Sequence, residues 1–378
     1  MLFFTLWFII PSRGSHPPVS FSCKILYNRM CSHSFHCTFE RTPKRQDPIS
    51  LCTLGCCKLV NRTLVITFMV VLAFTIVIGN TITLVVFLRT RQFRTPQGYL
   101  KVSLALADMM VGLLVVPFSV YTEIALLVTS RPPAWYQGLS SWRLGQPCSL
   151  IGPVFAGCTF VSISTIFLMT MERSVAIQRP LHKDSLVTRK RICSLICCSW
   201  LGGFLLAVSP LLFSDDFALE YNKCSRMCNY VFVPKTSYIP MWNIMLLFPV
   251  FDFTLLGGTL VVNVLSFSSI RRYSKKRKTL AEVDNFSGSA RPSFSDIKAA
   301  KTIGILTFAF TASFSPIAAF VVGNVLGYQW CNFSFFAFWI LASNSCCNVI
   351  IYSVRDYRFR KGLHQLFHRK LQPPFEKN

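Results

Sequence analysis

Long runs of apolar residues, separated by short polar segments, organise this chain from about residue 64 onward. A helix needs about 20 predominantly apolar residues to cross the hydrocarbon core of a bilayer, and seven runs satisfy that length. The pattern therefore predicts an all-α membrane protein, built as a seven-transmembrane helix bundle. The predicted spans are residues 64–88, 99–127, 148–177, 191–213, 238–269, 299–325 and 335–354.

The pattern changes after the seventh span, where apolar residues recur at helical spacing among basic ones. Phe359, Leu363, Leu366 and Phe367 fall on one side of a helix that would begin near Asp356. Basic amphipathic helices lie in the membrane surface, with their cations close to anionic lipid headgroups. We therefore predict a short amphipathic helix after the seventh span, with membrane lipid as its partner.

The segments that follow the first, third and fifth spans are rich in basic residues. The 378 residues include 39 Lys and Arg against 15 Asp and Glu, a formal net charge of +24. Because Lys and Arg are retained on the cytoplasmic side, this distribution places the N-terminus outside and the C-terminus inside. Nucleic acid is not predicted as a partner, since the charge is divided among short segments. The predicted parts are an extracellular tail (1–63), a seven-transmembrane domain (64–354), and a cytoplasmic amphipathic helix and tail (355–378).

A glycosylation sequon precedes the first predicted span. Asn61-Arg62-Thr63 has the pattern Asn-x-Ser/Thr, whose asparagine accepts glycans in extracellular segments. Its place just before the first span agrees with an outside N-terminus. We therefore predict a glycoprotein modified at Asn61.

Ionisable residues interrupt three of the apolar spans. Asp108 lies in the middle of the second span, Glu172 and Arg173 close the third, and Asp252 lies in the fifth. A charged side chain inside a membrane costs about 2.5–3.5 kcal/mol on insertion scales, so such residues tend to face the bundle interior and to be functional. The sequence offers no specific partner for Asp252.

The residue patterns favour a receptor over an enzyme. The sequence shows no nucleophile, metal-ligand or phosphate-cradling motif, and seven of its 16 cysteines fall inside the predicted spans, where cysteine behaves as a small hydrophobe. A multi-pass transporter is the alternative from another class. It would predict inverted repeats and paired broken helices, which the sequence does not show.

Each span carries a short motif: Gly79-Asn80, Leu104-Ala-Leu-Ala-Asp108, Cys148, Glu172-Arg173-Ser174, Trp200, Pro249, Phe314-Ser-Pro316 and Asn344-Ser345-Cys-Cys-Asn348-Val349-Ile-Ile-Tyr352. This ordered set resembles the rhodopsin-like (class A) G-protein-coupled receptors over about residues 64–368. The resemblance implies a plasma-membrane receptor that transduces binding of an extracellular ligand into activation of a heterotrimeric G protein. It also implies arrestin and a receptor kinase as further partners.

The resemblance implies roles in signalling for residues towards the inner ends of the spans. Arg173 would pair with Glu172 at rest and contact the G protein when helices move, which makes a two-state latch. Pro316, Asn348 and Tyr352 belong to the same coupling and activation set. An arginine that merely extends its charged end to the membrane surface is the structural alternative for Arg173.

The resemblance brings polar residues of three spans together at mid-membrane. A carboxylate with hydroxyl and amide oxygens suits a hard cation, and in this family such a cluster holds sodium and favours the inactive state. A hydrogen-bonded polar core without an ion is the alternative, and no cofactor besides this allosteric sodium is predicted. The expected sodium-site residues are Asp108, Ser162, Asn344, Ser345 and Asn348.

The resemblance also implies a disulfide from Cys148, at the outer end of the third span, to the segment between the fourth and fifth spans. Cys224 and Cys228 are both available there. The spacing between Cys228 and Pro249 resembles the family better, so a Cys148–Cys228 bond is preferred. Extracellular surroundings permit such bonds.

A ligand cavity is expected among the outer halves of the helices. Amine receptors of this family carry an Asp in the third span where this chain has Phe155. The expected lining is apolar and aromatic, which favours a hydrophobic small molecule, including a lipid-like one, over a biogenic amine. A biogenic-amine-like or peptide receptor is the alternative. The expected ligand-binding residues are Phe118, Phe155, Thr159, Met241, Trp242, Met245, Phe314, Ile317, Val321 and Phe338.

Three positions depart from the family pattern where activation is concerned. Phe314 replaces the Trp of the sixth-span motif, Gly257 stands where the fifth span usually has Tyr, and Val349 replaces the Pro of the seventh-span motif. These departures keep open a decoy receptor that has the same fold but does not couple to a G protein.

Overall fold

The computed structural model describes residues 48–89, 95–129, 147–178, 183–213, 217–232, 244–283, 294–328 and 330–369. Within these residues, seven helices are long and apolar enough to cross a membrane, and a shorter helix follows the seventh. This confirms the predicted seven-transmembrane helix bundle and its terminal helix. The helices are α1 (Pro48–Arg89), α2 (Pro96–Val128), α3 (Cys148–Gln178), α4 (Arg189–Phe213), α5 (Leu247–Val283), α6 (Phe294–Val325), α7 (Cys331–Arg355) and α8 (Tyr357–Arg369).

Two helices extend well beyond the predicted spans. α1 begins at Pro48, so Asn61 lies within a helix and not in a tail that precedes it. The Thr63 hydroxyl of the sequon donates a hydrogen bond to the Leu59 carbonyl at 3.0 Å. Glycosylation of Asn61 stays a prediction.

α5 continues to Val283, because Lys and Arg are favourable helix formers where the chain leaves the apolar run.

α3 has the most buried of the apolar stretches. It contacts α2, α4, α5 and α6, and 67% of its most apolar stretch is buried, against 22% for α4. An apolar side chain that faces lipid needs no protein partner, so the outer helices expose much of their surface. Residues at several levels of α3, including Phe155, Ser162 and Glu172, are therefore buried.

Buried polar side chains link neighbouring helices. Asn80 Nδ2 on α1 donates a hydrogen bond to the Ser345 carbonyl on α7 at 3.0 Å. Trp200 Nε1 on α4 donates to the Ser103 hydroxyl on α2, also at 3.0 Å. Because lipid cannot accept or donate such bonds, these donors are satisfied by acceptors on neighbouring helices.

α2 contains one π-helical turn at Val111–Val115. The amide of Val116 donates there to the carbonyl of Val111, five residues back. Pro117 follows directly; it lacks an N–H, and its ring conflicts with a carbonyl four residues back, a conflict that the wider turn relieves. One extra residue in the turn rotates the rest of α2 by about 100° relative to Asp108.

A β-hairpin lies between α4 and α5. Strands β1 (Phe217–Asn222) and β2 (Met227–Phe232) pair antiparallel, with Phe217 opposite Phe232 and Asn222 opposite Met227. The Asn222 side-chain oxygen accepts from the amides of the next turn, and the turn closes at Arg226, whose φ of 56° is in the left-handed region. Alternate residues of β1 are buried, so the hairpin covers the bundle with one face.

Two disulfides attach the hairpin to the helices. Cys148 at the start of α3 bonds to Cys228, the partner preferred from the sequence. Cys224 bonds to Cys331 at the start of α7, a bond that the sequence did not indicate. Each closes a long loop, of 80 and 107 residues respectively. The hairpin is therefore fixed on both sides.

Replacing Cys224 and Cys331 together by Ser should lower the free energy of unfolding by about 2–5 kcal/mol, because the long loop between them is no longer closed. The measurement is the Tm of the purified, detergent-solubilised protein, with maleimide labelling of native thiols. Cys193→Ser, which replaces a free exposed cysteine, is the control and should leave Tm unchanged. Maleimide labelling of Cys224 or Cys331 in the unreduced wild type would contradict the second bond.

Candidate functional site

A cavity of about 510 Å³ opens beneath the hairpin, among α3, α5, α6 and α7. Its volume is in the range of pockets that hold drug-sized molecules. Its lining is mainly apolar, as expected from the sequence. The predicted ligand-binding residues that the structure places in its wall are Phe155, Thr159, Met245, Phe314, Ile317, Val321 and Phe338.

Phe118 does not belong to the described lining of this cavity. Its ring packs edge-on against Tyr221 of β1, with the ring centroids 6.5 Å apart. The prediction placed Phe118 in the cavity because the sequence did not reveal that a hairpin would cover this part of α2. Met241 and Trp242, also predicted as ligand-binding residues, lie outside the described residues.

Aromatic rings form much of the cavity wall. Phe155 on α3 stacks with Phe338 on α7, with centroids 6.1 Å apart, and Phe338 meets Phe320 on α6 edge-on at 5.6 Å. On the α5 side, Phe160 meets Phe248 edge-on at 5.0 Å. Such rings bury a large apolar area and offer their electron-rich faces to a ligand.

The hairpin roof is held by buried polar contacts with three helices. The Tyr230 hydroxyl donates to the Ala207 carbonyl on α4, and burial raises the pKa of Tyr230, so the hydroxyl stays protonated. Trp339 Nε1 on α7 donates to the Ser225 carbonyl at 2.9 Å.

On α2, Glu123 accepts a hydrogen bond from the Tyr221 hydroxyl at 2.9 Å and lies 3.5 Å from the guanidinium of Arg226. The sequence analysis did not predict this roof; the alternating apolar residues of 217–221, together with the two cysteines, are the local pattern that could have indicated it.

Asp252 on α5 also lines the cavity. It is the one charged side chain among the described lining residues, and it is 1% exposed. Its Oδ1 has no hydrogen-bond partner within the described part of the chain. The sequence singled out this carboxylate, but only the structure shows that it borders the cavity.

A second, much smaller void lies at mid-bundle. Its volume is about 10 Å³, roughly that of one water molecule or small ion. Four of the five residues predicted for the sodium site line it: Asp108, Ser162, Asn344 and Ser345. A carboxylate, hydroxyl oxygens and an amide oxygen form a donor set that fits a hard cation.

Asn348, the fifth predicted member, occupies a different position from the others. Its Nδ2 donates a hydrogen bond to Asp108 Oδ2 at 2.7 Å, and Asn348 is not among the residues that line the void. The donated N–H orients one oxygen of Asp108. Asn348 therefore contacts the carboxylate of Asp108 directly, and its place in a sodium site stays a prediction.

The predicted signalling residues Glu172 and Arg173 lie at the other end of α3 from the hairpin. Arg173 Nε is 3.3 Å from Glu172 Oε2, and Glu172 is buried. From Cys148 to Glu172, α3 rises by about 36 Å at 1.5 Å per residue. This helix therefore connects the cavity and roof with the ion pair at the opposite end of the bundle.

A buried lysine that was not among the predicted site residues lies near the same end of the bundle. Lys101 Nζ on α2 is 2.8 Å from Asp356 Oδ2, at the joint between α7 and α8. The ammonium also lies 4.6 Å from the ring centroid of Tyr352 and 5.1 Å from that of Phe87. Lys101 is two helical turns before Asp108 on the same face of α2, which was the signal that it points inward.

The structure shows the surroundings of the three residues that depart from the family pattern. A side chain at Gly257 would meet nothing within 4 Å of its first carbon, so the position is open. The Val349 side chain lies 3.2 Å from where a side chain on Gly79 would begin, and thus fills the contact between α7 and α1. The third, Phe314, stacks on Phe310 with centroids 6.3 Å apart and lines the cavity.

The chain matches a known family of proteins. A family described as "7 transmembrane receptor (rhodopsin family)" matches residues 79–352. The chain is 24% identical over 299 residues to a GQ-coupled rhodopsin of Mizuhopecten yessoensis, covering 76% of this chain and 56% of the relative. It is 26% identical over 260 residues to a melanopsin of Branchiostoma belcheri, covering 66% and 34% respectively. With a histamine H2 receptor of Rattus norvegicus it shares 24% identity over 325 residues, 84% of each protein. The chain thus spans about half the length of the rhodopsin relative and about one third of the length of the melanopsin.

Proposed function

We infer the function from one premise, that this chain belongs to the rhodopsin family of seven-transmembrane receptors. It is a multi-pass membrane protein. We propose a plasma-membrane receptor with its N-terminus outside and its C-terminus in the cytoplasm. Binding of an extracellular hydrophobic small molecule would activate a heterotrimeric G protein. The observation that carries the proposal is the roofed cavity at one end of α3 and the Glu172–Arg173 pair at the other.

The proposed mechanism is a shift between two states of the bundle. A ligand in the cavity touches α3, α5, α6 and α7 at once, and it favours whichever arrangement of those helices gives it better contacts. Pro316 interrupts the hydrogen bonding of α6 two residues beyond Phe314, and such a break can act as a hinge. Movement there would release Arg173 from Glu172 for contact with the G protein.

A decoy receptor is the second candidate, because specific observations favour it. Gly257 provides no hydroxyl near the Arg173 end, and Val349 replaces the proline that the family has in α7. Such a protein would bind its ligand without activating a G protein. A biogenic-amine-like or peptide receptor remains the alternative for the ligand class.

Further partners are proposed for the cytoplasmic face. The Arg360 guanidinium on α8 donates to the Val354 carbonyl at 2.6 Å and thereby fixes the joint after α7. Lys361 is exposed on the same helix and is available to anionic lipid. Arrestin and a receptor kinase are proposed as partners of the active state, on the basis of the family alone.

The mid-bundle void is proposed to bind sodium, with Asp108 as its charged ligand. Replacing NaCl by N-methylglucamine chloride should raise basal nucleotide exchange on the G protein by about fivefold, since sodium would favour the inactive state. With the Asp108→Asn variant, basal nucleotide exchange should be the same in both salts. The second measurement is Tm of the purified receptor, which sodium should raise in wild type only. An equal response of both proteins would exclude this site.

The coupling itself is tested by G-protein dissociation in cells that express the full chain. A panel of G-protein classes is measured against cells without the receptor. A signal above background for at least one class supports the proposed function. The dependence of that signal on Arg173 then decides whether it arises through the proposed route.

A further inference from the structure

We propose that Asp252 binds the ammonium group of a hydrophobic amine ligand at the α5 side of the cavity. This inference rests on the proposed receptor function and names the chemical class of its ligand. It differs from the expectation for amine receptors, in which the third span supplies the carboxylate, because α3 presents Phe155 and Thr159 to this cavity.

The burial pattern of α5 directs Asp252 inward. Phe248, Asp252 and Leu256, spaced four residues apart, are all buried, whereas Val250 and Phe253 are exposed on the other face. Residues four apart lie on the same side of a helix. The carboxylate therefore belongs to the face that borders the cavity, and lipid does not reach it.

Among the described lining residues of the cavity, no basic side chain accompanies Asp252. Arg, Lys and His are missing from the described lining of the cavity, and the Oδ1 atom has no hydrogen-bond partner there. A carboxylate isolated in this way is destabilised by burial until a proton or a cation neutralises it. A ligand with an ammonium group supplies the cation and the hydrogen-bond donors together.

The surroundings of Asp252 suit the rest of an amine ligand. Phe160, Phe248 and Phe314 line the same cavity, and aromatic faces attract cations as well as burying hydrocarbon. The 510 Å³ volume leaves room for an aromatic or aliphatic group towards Phe155 and Phe338. The favoured ligand is therefore an amine with a substantial apolar part, and not a lipid without positive charge.

The test measures ligand binding as stabilisation of the purified full chain against heat. The probes are 2-phenylethylamine, 3-phenylpropylamine and 4-phenylbutylamine, each paired with the alcohol of the same carbon skeleton. The rise of Tm with probe concentration gives an apparent Kd. At least one amine should bind wild type about thirtyfold or more tightly than its alcohol, since removing one partner of a buried charge pair has an effect of that size.

The variant Asp252→Asn keeps the shape of the side chain and removes its charge. It should lose the preference for the amine and bind the alcohol as wild type does. Glu220→Gln, which removes an exposed carboxylate on β1, is the matched control and should keep the preference. The amine–alcohol comparison in wild type does not depend on the folding of any variant.

Two results would overturn the inference: a wild type that binds no amine better than its alcohol, or an amine preference that survives Asp252→Asn. G-protein dissociation is measured in parallel with the same probes. Binding that depends on Asp252 without any G-protein signal would support the amine site and count against the coupling. A G-protein signal without amine binding would support the coupling and count against the amine site.

Discussion

Arg173→Ala should reduce G-protein activation to the level of cells without the receptor, while its amount at the cell surface stays that of wild type. The guanidinium at the end of α3 is held by Glu172 at 3.3 Å, and its side chain is 15% exposed. It is therefore close to the surface and paired with a neighbouring carboxylate, as a two-state latch requires. Alanine removes the group that we propose to contact the G protein but leaves the α3 backbone as a good helix. The measurement is G-protein dissociation with surface labelling of the same cells.

Arg189→Ala is the matched control for this prediction. Arg189 is an exposed arginine at the start of α4, and its replacement should leave the signal unchanged. An Arg173→Ala receptor that signals at wild-type level would refute the latch.

The wild-type protein could reach the cell surface and still give no signal with any G-protein class or any probe. That result would favour the decoy receptor. Replacing Gly257 by Tyr and Val349 by Pro then becomes the deciding experiment. Position 257 has room for a side chain, since nothing lies within 4 Å of its first carbon. Coupling gained by the double variant would identify a decoy whose departures from the family pattern prevent activation.

Asp356→Asn should destabilise the protein more than Lys101→Met does, although both break the same ion pair. Asp356→Asn leaves the Lys101 ammonium, whose side chain is 9% exposed, without its ion-pair partner, and we expect a loss of about 3 kcal/mol. Lys101→Met leaves the Asp356 carboxylate, which is 20% exposed and reaches water more easily, and the expected loss is about 1 kcal/mol. The measurement is Tm of each purified variant.

The asparagine in this variant separates the lost charge from a lost helix cap. Asp356 Oδ1 also accepts a hydrogen bond from the Phe359 amide at the start of α8, and asparagine caps helices as well as aspartate does. Lys190→Met, which removes an exposed lysine, should leave Tm unchanged. The double variant should lose less than the sum of the single losses, because the two residues interact. Equal and additive losses would show that the pair does not act as a unit.

Some of the site could be found from the sequence because the signal was local. Asp108 and Arg173 were identified by their place within or at the end of apolar spans, where a charge is expensive. Seven of the ten predicted ligand residues line the cavity, since the family resemblance fixes which level of each helix faces inward. Phe118 lies outside that lining because it packs against Tyr221, which belongs to a hairpin that the apolar pattern did not reveal.

The sequence by itself determined the seven spans and their terminal helix, because membrane solvation acts on each segment separately: a run is long and apolar enough to cross, or it is not. The tertiary structure alone decided which distant groups meet. Cys224 bonds to Cys331, and Lys101 pairs with Asp356. Asp252 borders the cavity, and within the described residues its Oδ1 has no hydrogen-bond partner. Each of these depends on how helices are rotated and packed against one another, and that arrangement is set by contacts between residues far apart in the chain.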